Sequence, residues 1–293
     1  MKFWNLSLII PLFAISFATS AEAATTHVKW YGHAAFEITT PEGHVIMIDP
    51  WLKNPMNKSA ANGKDPIKLI RKLDYILLTH GHFDHVGDSV ALAKKTKAKL
   101  VTNFELGNAM VKYMHYPERG VGYETLMNIG GEITIAGGEV KVMMVPAVHS
   151  SGLDAGKKDG TVYGGTAAGF VLKIKGGPTI YDTGDTAYFS DMKLIADPHP
   201  DLALINIGGH FGMEPDRAAQ AAEDVGAKVV VPHHYKTFPI LTQDPTDFVN
   251  RVDAKGMHAI AMKPGQTLTF VGKVLKEGGG AAPAPAPEAS ESP

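Results

Sequence analysis

Four side chains able to ligate a metal stand within six residues: His80, His82, Asp84 and His85, in the run Thr79-His80-Gly81-His82-Phe83-Asp84-His85. Imidazole and carboxylate together suit zinc, manganese or iron. The apolar stretch Asp74-Tyr75-Ile76-Leu77-Leu78-Thr79 leads into this run and reads as a buried strand. Where a strand ends the chain turns out of its sheet, so neighbouring side chains can converge on one point. That placement predicts a metal centre rather than a solvated polar loop. The chain has no cysteine, which excludes disulfides and thiolate ligands. No Gly-x-Ser-x-Gly elbow occurs, so a serine nucleophile is not expected.

The flanking pattern supplies elements to position the run. His27–Tyr31, Ala35–Thr39 and Val45–Ile48 read as short strands, the last two joined at Pro41-Glu42-Gly43. A helix is predicted over Pro66–Lys72 and another over Ser89–Lys95, followed by a strand over Ala98–Thr102. Glu132–Ile135, Val140–Val145, Ala168–Ile174 and Thr179–Tyr181 read as strands between Gly-rich turns. The last third alternates: strand Leu202–Ile207, helix Pro215–Asp224, strand Lys228–Val231 and helix Pro245–Val252. Strand meanders followed by αβ alternation, twice over, predict an α/β protein built as an αββα four-layer sandwich.

Both ends fall outside that pattern. Lys2, the apolar stretch Phe3–Ala18 and the ending Ala21-Glu22-Ala23 have the parts of a signal peptide, so residues 1–23 are expected to be removed on export to the periplasm or beyond. The stretch is shorter than the roughly 20 apolar residues a spanning helix needs, and Asn5 and Pro11 interrupt it. Residues 276–293, ending in EGGGAAPAPAPEASESP, have little to bury and read as a disordered tail. The expected domain therefore covers 24–275. A net charge of −2 and only four arginines leave no basic stripe for nucleic acid, so a small-molecule substrate is expected.

With the H-x-H-x-D-H run after a strand, the sequence resembles the metallo-β-lactamase superfamily. Further motifs carry the likeness across residues 27–272: Trp30-Tyr31-Gly32-His33-Ala34, Asp49-Pro50-Trp51, Ala147-Val148-His149-Ser150, Tyr181-Asp182-Thr183-Gly184-Asp185-Thr186, and Val231-Pro232-His233-His234-Tyr235-Lys236-Thr237-Phe238. Together they look like the lactonase-like branch of uncharacterised metal-dependent hydrolases, related to the ascorbate-phosphate lactonases. The resemblance implies the metallo-β-lactamase fold and two divalent metal ions, zinc first and manganese or iron as alternatives. It places His80, His82 and His149 on one ion, Asp84, His85 and His234 on the other, and Asp185 between them. The Pro-x-His-Tyr pattern selects His234 over His233.

Each carried-over ligand also lies just past an expected strand end. Asp185 could instead serve an Asx turn. Asp49 is a candidate acceptor from a ligand imidazole. His33 is expected near the site or in a structural role, and His210, in Gly208-Gly209-His210-Phe211, as a donor to substrate. Tyr235 could face substrate or pack. His27, His44, His115, His199 and His258 lack motif context and read as non-catalytic. A bridged metal pair generates hydroxide from water near neutral pH, with Asp84 orienting it and handling its proton. The expected reaction is hydrolysis of an ester, lactone or phosphoester. β-Lactam cleavage is the enzymatic alternative, and a periplasmic metal- or ligand-binding protein without turnover is the alternative of another class.

Overall fold

The computed structural model describes residues 24–195 and 199–277. The expected signal peptide and nearly all of the expected tail lie outside them.

Two mixed sheets carry the fold. The first contains β1 (Thr25–Trp30), β2 (Phe36–Thr39), β3 (Val45–Ile48), β4 (Tyr75–Leu77), β5 (Lys99–Asn103) and β6 (Leu126–Met127). The second contains β7 (Glu132–Ile135), β8 (Val140–Pro146), β11 (Ala168–Ile174), β12 (Thr179–Asp182), β13 (Leu202–Asn206), β14 (Val229–His233) and β15 (His258–Ala259); β9 (Gly152–Asp154) and β10 (Thr161–Tyr163) form a separate hairpin. The chain then returns to the first sheet with β16 (Thr267–Val271) and β17 (Val274–Glu277), giving the orders β17-β16-β1-β2-β3-β4-β5-β6 and β15-β14-β13-β12-β11-β8-β7. In each sheet an antiparallel half runs into a parallel half, β3-β4-β5-β6 in one and β12-β13-β14-β15 in the other.

Alternation along single strands shows the layering. In β3 all four residues are buried. Ile46 and Ile48 share one core cluster with Val142, Met144, Phe170 and Leu172 of the second sheet. Val45 and Met47 point the other way, into a cluster with Ile67, Leu92, Leu106 and Met110 from helices. A strand buried on both faces reads as a continuous apolar run, as β3 and β4 do. On the far side of the second sheet, helices Pro215–Val225 and Thr246–Ala254 pack on β13 and β14. The αββα arrangement expected from the sequence is the one observed.

Several boundaries differ from expectation. The helix predicted over Pro66–Lys72 stops at Leu69, because Ile70 turns extended and buries itself beside Leu73. An unpredicted helix, Phe104–Met114, starts on Asn103, whose side chain accepts from the Leu106 amide. β14 runs through His233 rather than ending at Val231. Pro232 is tolerated there because β15 has already ended: the Val230 carbonyl, on the same side, accepts the last bond from the Ile260 amide. β17 reaches Glu277, two residues past the domain boundary expected at 275.

Gly87 ends the short helix Phe83–Val86 with φ +37°. A Cβ there would lie 2.6 Å from Trp51 Cα and 2.8 Å from Trp51 N, backbone atoms that cannot easily give way. Gly87→Ala is expected to destabilise the fold by about 3 kcal/mol, read from the urea midpoint of metal-free protein. Control substitution Gly63→Ala, with nothing within 4 Å of its added Cβ, should cost clearly less.

Candidate metal centre

Parallel strands deliver their carboxyl ends to one edge, where ligands of α/β sheets gather. β4 ends just before His80; β8 precedes His149; β12 precedes Asp185; β14 precedes His234. His82 caps the short helix Phe83–Val86, which carries Asp84 and His85 in its first turn. Asp182 Oδ1 accepts from the Gly184 amide, so the Asx contact in this turn belongs to Asp182 and leaves Asp185 to face the histidines.

The ligating atoms fall into adjoining groups. His80, His82 and His149 have theirs within 4.8 Å of one another, as do His33, Asp84, His85 and His234. Asp185 Oδ2 lies between: 4.0 Å from His80 Nε2, 3.6 Å from His149 Nε2, 3.3 Å from His85 Nε2 and 3.0 Å from His234 Nε2. The seven residues that the family likeness singled out are thus brought together.

Hydrogen bonds behind the site decide which nitrogen is free. The Thr79 hydroxyl donates to Asp49 Oδ2 at 2.6 Å. Its single proton is then used, so His80 Nδ1, 3.0 Å from Thr79 Oγ1, must donate to it. The Nε2 of His80 is left with a lone pair turned into the site, 2.9 Å from His82 Nδ1. Asp49 Oδ2 also accepts from His85 Nδ1 at 2.6 Å, which turns His85 Nε2 to the centre in the same way. His33 is different. Its Nε2 donates to Asp84 Oδ2 at 3.0 Å, and its Nδ1 accepts from the Thr237 hydroxyl at 2.7 Å. Both ring nitrogens are occupied, so His33 aims Asp84 rather than ligating. Burial, and next the charge of His234, hold His33 down to about 3, so it stays neutral in that role.

The residues present fit a cation. His85 Nε2 and both nitrogens of His234 are buried without a hydrogen-bond partner, although Asp185 Oδ2 is close by. Burial alone would push the Asp185 carboxyl up, yet His234 and His85 hold it well below the usual range. Burial would likewise lower His234, but Asp185 and Asp84 raise it to about 9, and Asp185 and Asp49 raise His85. Ionised carboxylates thus draw positive charge into a buried space that a divalent metal would fill. His80 is pushed well below its ordinary value by burial and by His85.

Three site residues hold the left-handed region without being glycine: His33 at φ +53°, Asp49 at +43° and His234 at +61°. Such backbone strain persists only where its surroundings hold it. Here the His33 carbonyl accepts from the His234 amide at 3.1 Å and from Trp30 Nε1 at 3.0 Å, tying the loops of the two sheets together. Gly208 is required beneath them, since a Cβ would lie 2.7 Å from His234 Nδ1.

Beyond the ligands opens a cavity of about 550 Å³ lined by His82, Phe83, Asp84, His149, Ser150, Asp185, Phe211, His234, Phe238 and Ile240. His210, expected as a donor to substrate, is not among them. It is exposed, with its ring edge-on to Phe211 at 4.6 Å, and Phe211 reaches the cavity instead. Tyr235 packs, buried, against Trp30 at 5.6 Å. His233 points into the core toward Asp182, 4.0 Å away, while His234 faces the site. His44 bonds Glu139, His27 bonds Thr269 and His199 faces the Val225 carbonyl; His115 and His258 are exposed. Sequence reasoning missed Asn206, whose amide donates to Asp185 Oδ1, and Thr237 behind His33. A polar side chain at the carboxyl end of the buried strand β13 was the available signal for Asn206.

Comparison with known proteins gives the family and the fold. The beta-lactamase superfamily domain matches residues 44–235. A UPF0173 metal-dependent hydrolase of Thermodesulfovibrio yellowstonii is 46% identical over 264 residues, covering 89% of this chain and 98% of its own. Among solved structures, Igni18, a metallo hydrolase of the archaeon Ignicoccus hospitalis, is 32% identical with a TM-score of 0.69, over 84% of this chain and 98% of that one. A metallo-beta-lactamase fold protein of Bacillus subtilis, 13% identical with a TM-score of 0.57 over 84% of this chain and all of its own, shares the fold.

Because His234 is held to about 9 in the metal-free protein, a metal must displace its proton at any pH below that. Affinity should therefore fall about tenfold per pH unit for each proton displaced, about a hundredfold or more from pH 8 to pH 6. Chelator competition across that range measures it, and a flat profile would contradict the proton count.

Proposed function

Because the chain belongs to the UPF0173 metal-dependent hydrolases of the β-lactamase superfamily, we propose that it is a dinuclear hydrolase cleaving the C–O bond of an ester or lactone in a small molecule. The observation that carries this reading is Asp185 Oδ2, which lies within 4.0 Å of His80 and His149 on one side and of His85 and His234 on the other. His80, His82 and His149 would hold one divalent ion, and Asp84, His85 and His234 the second. Bound there, the ions supply Lewis acidity toward the attacked carbonyl and lower the pKa of a water to near neutrality.

The chain's own residues supply the rest. Asp84 borders the cavity, and His33 fixes its Oδ2. Burial pushes the Asp84 carboxyl up, but His234 3.6 Å away and the hydrogen bond from His33 prevail and keep it ionised. An ionised, oriented carboxylate beside the attack point can take the proton of the attacking water and return it to the departing alkoxide. Phe83, Phe211, Phe238 and Ile240 line the approach with apolar surface.

Protein purified without added metal is expected to hold about two ions per chain, the number a shared-carboxylate site takes, with a clear fall in Asp185→Ala. Loaded wild type should hydrolyse a generic carboxylic ester, and Asp84→Asn should lower kcat by about 10²- to 10⁴-fold. One ion per chain in wild type, unchanged in Asp185→Ala, would overturn the dinuclear reading.

A further inference from the structure

The polar groups that line the cavity are nearly all candidate ligands: His82, Asp84, His149, Asp185 and His234, with Ser150 the remaining one. Every other lining side chain is apolar, namely Phe83, Phe211, Phe238 and Ile240. Among the described residues no lysine or arginine lines it. Phe83, Phe211 and Ile240 leave 59%, 54% and 54% of their surface open, so three large, exposed apolar side chains converge on one mouth. Exposed apolar clusters of this kind mark binding surfaces.

The wall is also preformed. Phe238 stacks on Trp51 with centroids 5.7 Å apart and planes 14° from parallel, and Trp51 meets Phe83 edge-on at 5.8 Å. The loop bearing Phe211 is stitched to the loop bearing Phe238 and Ile240. A bridge joins Gly209 and Leu241, the Thr242 amide donates to the Gly208 carbonyl, and the Lys236 amide to the Thr242 carbonyl. Such a wall requires little ordering when a ligand binds.

We propose that the substrate presents to this wall an uncharged, apolar acyl or ring portion, while its reacting carbonyl sits among the ligands. A phosphate or carboxylate on that distal portion would have to leave water for phenyl and alkyl surface with no lysine or arginine in the lining to receive it. The inference rests on the hydrolase reading above and narrows its substrate class to neutral, hydrophobic esters or lactones.

Two series of probes test it on metal-loaded full-length protein. In p-nitrophenyl esters from acetate to octanoate, kcat/KM should rise about three- to fourfold per methylene, from the transfer free energy of a buried CH₂. The monoester of adipate, with its chain tipped by a carboxylate, should fall well below hexanoate. In straight-chain alkyl hydroxamates from two to eight carbons, Kd measured by calorimetry should tighten by the same steps, whether or not any ester is turned over. Phe211→Ala and Ile240→Ala should flatten both series, and Ile240→Lys should raise the adipate monoester relative to hexanoate. Hydroxamate binding that deepens with chain length, with no ester cleaved, would sustain this inference and sink the hydrolase reading. Flat hydroxamate affinities, or equal turnover of acetate, octanoate and the adipate monoester, would overturn the inference itself.

Discussion

Asp185 is a carboxylate buried among four imidazoles, and much of the architecture can be read as the means of keeping it there. An ionised group taken out of water is tolerated only with close, well-aimed partners. Asn206 engages one oxygen from β13, and the histidines crowd the other from three separate segments, those after β4, β8 and β14. Because hydrogen bonds to His85 Nε2 and His234 Nε2 are missing from this arrangement, the site is balanced for a cation rather than for its own protons.

That balance is held from behind by Asp49, which receives the Thr79 amide, the Thr79 hydroxyl and His85 Nδ1. One carboxylate thus sets the direction of two imidazoles, one directly and one through Thr79. His33 does a parallel service for Asp84, and its carbonyl ties the His234 backbone across the sheets. The left-handed φ values of His33, Asp49 and His234 fit this picture: the loops are bent to aim side chains, and contacts between the sheets hold the bend. A second tie lies away from the site, where the buried Glu139 between β7 and β8 receives the Thr40 hydroxyl, the Glu42 amide and His44 Nδ1 from the turn between β2 and β3.

The fold was largely legible because its strands are apolar in patterns set by how many faces they bury; β3 and β4 are continuous runs where both faces are covered. The helix Phe104–Met114 escaped notice because Gly107 breaks its pattern. A Cβ at Gly107 would meet the tip of the Leu126 side chain, which would have to shift to admit it. At the site, the residues of the first motif could be read from spacing alone, whereas His149, Asp185 and His234 needed the family likeness to link strand ends far apart in sequence. His33, Thr237 and Asn206 act through hydrogen bonds spanning 51, 204 and 21 positions, which no local pattern records. The shift from His210 to Phe211 at the cavity is a matter of one residue in a Gly-rich loop, where backbone direction is not dictated by neighbouring side chains.

The pairing of β1 with β16, Thr25 opposite Val271, sets the order in which the molecule can be completed. Synthesis reaches β1 long before its partner β16. Until the residues near 271 are free, β1 keeps an open edge that can template pairing with another chain. The first sheet is therefore completed by a contact between strands far apart in sequence, the kind of pairing that forms slowly.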